Sequence, residues 1–504
     1  MHALLPQRAW PLAATLLVVL ALSCSGFAPT PRLDRPGIRP IAPRVASGPV
    51  HRWIPRGVLS AAPATSRSLS PTDGSSRARL ATTAPAPPHT YTQFVALPND
   101  NALKPDANAA AGPNDVVEMI NAEWAAYSKS GTNLFQTTLQ QWYNFPAWAG
   151  MFDPRVIYDS LAGHYVMINI YYAPNGTGYI DLSASMTSSA LGNWCKYEIN
   201  VQDGVNQPDF PGLGFDSQAI YVSMNMYPIG SNTFSYAKLL ILNKAQLYQC
   251  ASPVSSYTFA NLLNPDGTLA FAVQPGRTLD NEPAEYLANS ALGNQNPGSP
   301  IKANYLTMWT LTNPLNNPTL TNAAIPVSTY MVPPNARQKG SSSLIYTGGP
   351  MLLQATVYAG ALWTALTSAF GTNNQYAAIR WFELDPVNNV VLQGGTYGAN
   401  GAYAFMPAIT VTANGNAIMM FDASTPNIYV GVYYAGRQAS APLNEMSTYV
   451  VLQPGSGPFS SPEEYWGDFF SAAVDPADTT KVWICGQYAL PGNQWGTVIG
   501  EVGY

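Results

Sequence analysis

The 504-residue chain sets 23 Lys and Arg against 28 Asp and Glu for a net charge of −5, and only 10% of its residues are charged. Gly (40), Pro (44) and Tyr (29) are abundant, and Tyr outnumbers every charged type. Few Glu and Lys beside many turn formers and aromatics argue against a helix bundle and point to strands joined by turns.

At the N-terminus Arg8 precedes an apolar run from Ala9 to Leu22, closed by the small residue Ser23. This is the pattern of a secretory signal over residues 1–23, and the run is too short to favour a membrane span. Cys24 follows directly, so Leu20–Cys24 resembles a bacterial lipobox, a permissive one because Ala21 stands where Leu is usual. Cys24 is therefore the lipidation candidate, with plain secretion as the alternative. Both place the chain outside the cytoplasm, lipid-anchored to the cell envelope or secreted. Residues 24–90 read as a disordered Pro/Arg/Ser-rich tether: twelve Pro fall between residues 25 and 90, with no periodic apolar pattern to bury. Residues 1–90 hold ten Arg, no Lys and two Asp, a charge of +8, which leaves −13 on residues 91–504. Such a basic segment lies on anionic lipid or wall polymer, or is simply a solvated linker; membrane contact is expected only through the lipid anchor and this tether. The acidic body argues against nucleic acid as its partner.

From Tyr91 onward no sustained helical periodicity occurs. Strands of about five to nine residues recur between Gly, Asn, Pro and Asp, in units of about fifty residues, the size of a four-stranded propeller blade. The clearest unit runs PRVIYD, HYVMINIYY, GYIDLSASM, WCKYEINV. The first contains DVVEMINAEW as one strand, and the fifth, beginning SSLIYTGG, has one strand more than a blade needs. The last unit, SAAVDP, KVWICGQYA and WGTVIGEV, is one strand short, and YTQFVAL (Tyr91–Leu97) supplies the missing edge. The expected fold is all-β: a single seven-bladed β-propeller over residues 91–504, closed by the N-terminal strand joining the C-terminal blade, which removes both sheet edges. A pair of β-sandwiches is the alternative.

GPNDVVEMIN, YDSLAGHYVM, DFPGLGFDSQAIYVSMNMY and WGDFFSAAVDPADTTKVWICGQYA, followed by WGTVIG, resemble a family of exported bacterial β-propeller proteins. The resemblance covers roughly residues 91–504 and is strongest in the first, second, third and seventh units. It implies the fold and an extracytoplasmic location, and it brings no activity or catalytic residues. The Asp-box of sialidases is not present in its usual spacing.

Cys195, Cys250 and Cys485 stand far apart, without the close pairs of a metal knuckle or redox motif, and read as buried thiols, a Cys195–Cys250 disulfide being the alternative. His164 is the one histidine after residue 89, so a His-ligated metal site is excluded and a Ser-His-Asp triad would have to use it. No P-loop occurs. No cofactor is expected, although a carboxylate-lined channel suits Ca2+.

Propeller ligands meet loops at one mouth of the central channel. In this charge-poor chain those loops hold Asp153, Arg155, Asp209, Arg277, Asp280, Glu282, Arg337, Lys339, Met406, Trp466 and Asp468. Arg155, Arg277 and Arg337 suit an anionic or hydroxyl-rich ligand, Trp466 offers an indole platform, and Asp153, Asp209 and Asp468 are the acid–base candidates. The competing reading makes each Asp a turn cap, pairs Arg155 with an Asp and packs Trp466 between blades. The first function these residues fit is a monomeric binding protein for a glycan or other envelope polymer. The second is a carbohydrate-active enzyme, hydrolase or lyase, using the mouth carboxylates; the third is a scaffold for a surface protein.

Overall fold

The computed structural model of the chain describes residues 38–41, 85–99, 104–293, 296, 298–461 and 465–504. The signal segment, Cys24 and most of the tether lie outside the described residues. Short apolar runs cut by turn residues give an almost wholly β structure; the α-helices among the described residues are Leu139–Tyr143 and Lys244–Tyr248, five residues each. The repeated unit is four antiparallel strands in sequence order, the building block of a β-propeller. Asn108–Ala111, Asp115–Met119, Glu123–Ser128 and Asn133–Thr138 form one such sheet. Tyr403–Val411, Ala417–Thr425, Ile428–Arg437 and Val450–Gln453 form another. Met151–Asp159, His164–Tyr172, Gly178–Ser185 and Trp194–Asn200 form a third, whose outer edge takes Ile38–Ile41 as a fifth strand. Those four residues fall in the stretch expected to be unstructured; they cover an otherwise open sheet edge.

Three more four-strand groups, led by Asn206–Phe215, Gln274–Thr278 and Ala355–Tyr358, merge into one 12-stranded sheet. Their leading strands make short parallel pairings, Phe215 with Arg277 and Arg277 with Thr356. Gly214 permits this approach, since a Cβ there would collide with the Gly276 carbonyl oxygen. In the last sheet His89–Pro98 pairs antiparallel with Gln494–Gly503, next to Lys481–Leu490 and then Ser471–Val474. Leu97 is tied into this seam twice: its N–H donates to Glu118 Oε2 (2.8 Å) and its carbonyl accepts from Thr497 Oγ1 (2.7 Å). The leading strands lie side by side in chain order, and Ser471–Val474 lies against Asn108–Ala111.

Second strands carry apolar residues on both faces because each sheet is covered on both sides: Tyr165 to Tyr171 are all buried. Two boundaries depart from the sequence expectation. DVVEMINAEW is cut at Ile120–Ala122, where the Asn121 N–H turns back to the Pro105 carbonyl (2.9 Å). SSLIYTGG is no strand but a loop held by one bridge, Ala336 with Ile345, so the extra strand of that unit disappears.

Cys195 and Cys250 are joined as a disulfide with Cα atoms 5.0 Å apart, which corrects the expectation of buried thiols. Topology brings them together: Cys195 sits in the outer strand Trp194–Asn200, and Cys250 follows the short helix of the neighbouring group. Cys485 is the free cysteine and is buried. The disulfide closes a loop spanning 55 residues, and loop-closure entropy for that length is worth about 4 kcal/mol at most. Replacing both cysteines by Ser should therefore lower Tm by several degrees in differential scanning calorimetry, and an unchanged Tm would mean the bond adds no net stability.

Candidate functional site

The leading strands begin in a strained way. Asp106 (φ 51°), Asp153 (φ 52°), Phe210 (φ 51°), Ala272 (φ 50°) and Met406 (φ 51°) all adopt the left-handed region, Asp106 and Ala272 just before the strand and the other three inside it, where the pairing register shifts. For non-glycine residues this costs roughly 1–2 kcal/mol each, so something must hold them. The holder is a polar side chain, usually on the preceding group. Asp153 N–H donates to Asn121 Oδ1 (2.8 Å), Phe210 N–H to Asp153 Oδ2 (2.9 Å), Ala272 N–H to Asn225 Oδ1 (2.9 Å) and Met406 N–H to Thr367 Oγ1 (3.0 Å). Asp468 N–H likewise donates to Asp106 Oδ1 (2.7 Å), linking the last sheet to the first.

These bends gather carboxylates at one end of the leading strands. Carboxylate oxygens of Asp106, Asp153 and Asp468 lie within 4.8 Å of one another. Lys104 Nζ lies 3.3 Å from Asp106 Oδ2 and bonds Asp468 Oδ2, while Asn121 Nδ2 donates to Asp106 Oδ2 (2.7 Å). Asp106 is fully buried and Asp153 nearly so, whereas the Lys104 and Asp468 side chains keep 18% and 17% exposure and form the solvent face of the cluster. Asp209 stands close enough for its charge to act on Asp153. Burial raises the carboxyl of Asp106 to about 7; Lys104 opposes this and the neighbouring carboxylates reinforce it. Asp153 is raised to about 7 by burial and then by Asp209, against the pull of Lys104. Burial would lower the Lys104 ammonium, but Asp106, Asp468 and Asp153 outweigh it and hold it well above its ordinary value. The oxygen donors are those Ca2+ takes, yet the Lys104 ammonium already stands between Asp106 and Asp468, so a cation fits only if that lysine swings away.

Arg155 fills the axis behind this cluster. Fully buried, it donates from Nε to the Pro211 carbonyl (2.9 Å) and from Nη1 to the Leu353 carbonyl (3.3 Å). Its Cζ lies 3.4 Å from the Phe469 ring centroid. It is therefore held by backbone carbonyls and an aromatic face, and not by the pairing with a neighbouring Asp that the sequence suggested. Arg277, further along, lines a cavity of about 140 Å3 at the opposite end of the leading strands.

The other candidates are placed elsewhere. Trp466 is no platform: it is fully buried, its Nε1 donates to Asp422 Oδ2 (2.6 Å) and its ring packs edge-on against Phe459. Arg337 is exposed on another loop, its carbonyl accepting from Ser424 Oγ. Lys339 rests over the Tyr429 ring. Asp280 and Glu282 cap the Ala359–Gly360 turn, accepting those two N–H groups at 2.8 and 2.7 Å. His164 bonds the Ser185 carbonyl through Nδ1 (2.7 Å) and stacks on Tyr248, a structural histidine.

Lys104, Asp106 and Asn121 were missed by the sequence reading. A signal for Asn121 existed: the runs MIN at 119–121, MIN at 167–169, SMN at 223–225 and LAN at 287–289 repeat an asparagine within or just past the second strand, with Thr367, Asp422 and Gln487 at similar places in the other second strands.

No protein-family model and no curated protein matches this sequence. Among solved structures, the chain is similar to the GH93 α-L-arabinofuranosidase of Fusarium graminearum in complex with arabinobiose, at 11% identity over 82% of this chain and 97% of that one, with a TM-score of 0.37. The Dos1 propeller is similar at 8% identity over 82% and 95% of the two chains, TM-score 0.37. A mutant apocarotenoid oxygenase of Synechocystis is similar at 9% identity over 70% and 74%, TM-score 0.40. The neighbours thus include propeller folds, and nothing of their chemistry transfers at these identities.

The raised carboxyls set a pH dependence. Unfolded, Asp106 and Asp153 would titrate near 3.8; folded, they hold their protons up to about 7. The folded state thus binds more protons over that interval, and the associated stability, full at acidic pH, is lost as pH rises through about 7. Tm should be higher at about pH 5.5 than at about pH 8.5 by on the order of 5 °C, and Asp153→Asn should reduce that difference. A Tm that rises over this span would contradict the assignment.

Proposed function

We propose that this chain is an exported seven-bladed β-propeller that binds a hydroxyl-rich ligand, a glycan or other envelope polymer, at the acidic end of its channel. The observation that carries the reading is the gathering of Lys104, Asp106, Asp153 and Asp468 on the channel axis of a chain with 10% charged residues. Sugar hydroxyls donate and accept at once; Asp468 and Lys104, on the solvent side of the cluster, offer an acceptor and a donor. The seven-bladed ring is supported by the side-by-side order of the leading strands and by the pairing of His89–Pro98 with Gln494–Gly503. Export is supported by the signal-like residues 1–23 and by the Cys195–Cys250 disulfide, which persists in oxidising compartments. Lipidation of Cys24 belongs to the same proposal.

A second reading, a carbohydrate-active enzyme, is favoured by one observation: Asp106 and Asp153 have carboxyls raised to about 7, with oxygens within 4.8 Å of each other. Two neighbouring carboxyls, one protonated and one ionised, are the groups a glycosidase uses. Asp468 would then position the sugar.

Purified protein applied to a glycan and polysaccharide array, scored for both retention and cleavage, tests the two together. Retention weakened about tenfold in Asp468→Asn supports binding at the acidic end. Cleavage abolished in Asp153→Asn, with retention kept, supports catalysis. An array with neither, or variants that behave as the parent, removes both readings.

A further inference from the structure

A buried cation without a partner is expensive, because desolvation is offset only by paired charge or hydrogen bonds. Arg277 is such a cation. It is 7% exposed, sits one residue from the end of the leading strand Gln274–Thr278, and its side chain makes no hydrogen bond or ion pair among the described residues; its Nη1 is buried and unpartnered. Glu285, on the adjoining strand, is bound elsewhere: it accepts from the Gly276 N–H (2.7 Å) and the Thr278 hydroxyl (3.2 Å). Arg155 makes matters worse. Its guanidinium lies close enough for the two like charges to disfavour each other, and its own Nη2 is buried without a partner.

Arg277 faces the cavity of about 140 Å3 at the far end of the channel, well beyond the roughly 15 Å3 that one water needs. The lining comes from all the leading strands and includes Ala110, Ile157, Phe215, Leu279 and Ala473. Against these apolar walls the hydroxyls of Ser160, Thr356, Thr410 and Thr479, which also line the cavity, supply further polar contacts. Arg277 is the one charged side chain of this lining, and a single guanidinium fork suits a singly charged carboxylate, which accepts bidentately from Arg. A phosphate dianion would find only that one cation.

We infer that the cavity at the Arg277 end of the channel is a binding site for a small organic acid, its carboxylate held by Arg277 and its apolar body by the walls from Ala110, Ile157, Phe215 and Ala473. The site is independent of the acidic cluster, which lies at the opposite ends of the same strands. An anion here supplies the missing counter-charge for Arg277 and relieves the repulsion from Arg155.

Benzoate, benzamide and inorganic phosphate are the probes, titrated into the purified full-length protein by calorimetry and followed in parallel by thermal shift. Saturable benzoate binding that raises Tm, no response to benzamide, and affinity weakened about tenfold or more in Arg277→Gln are expected. Equal binding of benzoate and benzamide, tighter binding of phosphate, no benzoate binding, or full affinity in Arg277→Gln would each overturn the proposal. If Arg277→Gln does not fold, Ala473→Phe decides: it fills the cavity and leaves Arg277 in place, so benzoate binding must vanish, and its retention overturns the site.

Discussion

The hydrogen bond from a left-handed residue to a polar side chain, in most cases on the preceding sheet, is the constraint on which the rest of this structure depends. Without it, four bends that ordinary side chains resist would relax toward extended backbone, and the leading strands would no longer converge. The same bonds decide where charge goes. Asp153 accepts from Phe210 with one oxygen while its carboxyl faces Asp106 and Asp468, and Asp106 does the same for Asp468. Structural and chemical roles thus reside in one set of residues, which is why the cluster tolerates burial that an isolated carboxylate would not.

The channel is polar in two unlike ways. At one end carboxylates outnumber the single ammonium of Lys104, and they meet the excess by holding protons. At the other, a guanidinium has nothing to balance it. Between them Arg155 lies flat on Phe469, bonded to carbonyls on two different groups. Arg155 thus feels both ends at once, Arg277 on one side and Asp153, Asp106 and Asp468 on the other.

Periodicity carried most of the fold, because strand and turn chemistry is local. The four-strand unit, the apolar second strands and the N-terminal partner of the C-terminal trio could all be read from runs such as HYVMINIYY and KVWICGQYA. The site was less legible. Asp153 and Asp468 stood out as rare charges, and the structure brings them together; Asp106 did not, because nothing local distinguishes an aspartate that meets its partner from across the body. Lys104 had no signal at all. Trp466 misled because exposure is a property of the assembled sheets: a loop tryptophan beside Gly467 looks accessible until Asp422 reaches its indole N–H. Arg155 misled for the same reason, since its partners are carbonyl groups, which no sequence displays. The cysteines were separable only by topology, which joins Cys195 to Cys250 and leaves Cys485 in the core.

The pairing of His89–Pro98 with Gln494–Gly503 also bears on the order of events during folding. The Leu97 carbonyl and the Thr497 hydroxyl that bonds it are 400 residues apart, so this sheet is assembled only once the whole intervening body has been made. Contacts of such long sequence separation slow folding, and until the last hairpin arrives the strand His89–Pro98 and the buried faces around Glu118 remain unprotected. A chain secreted before it folds would meet that delay outside the cell, where its sheet edges are open to other chains.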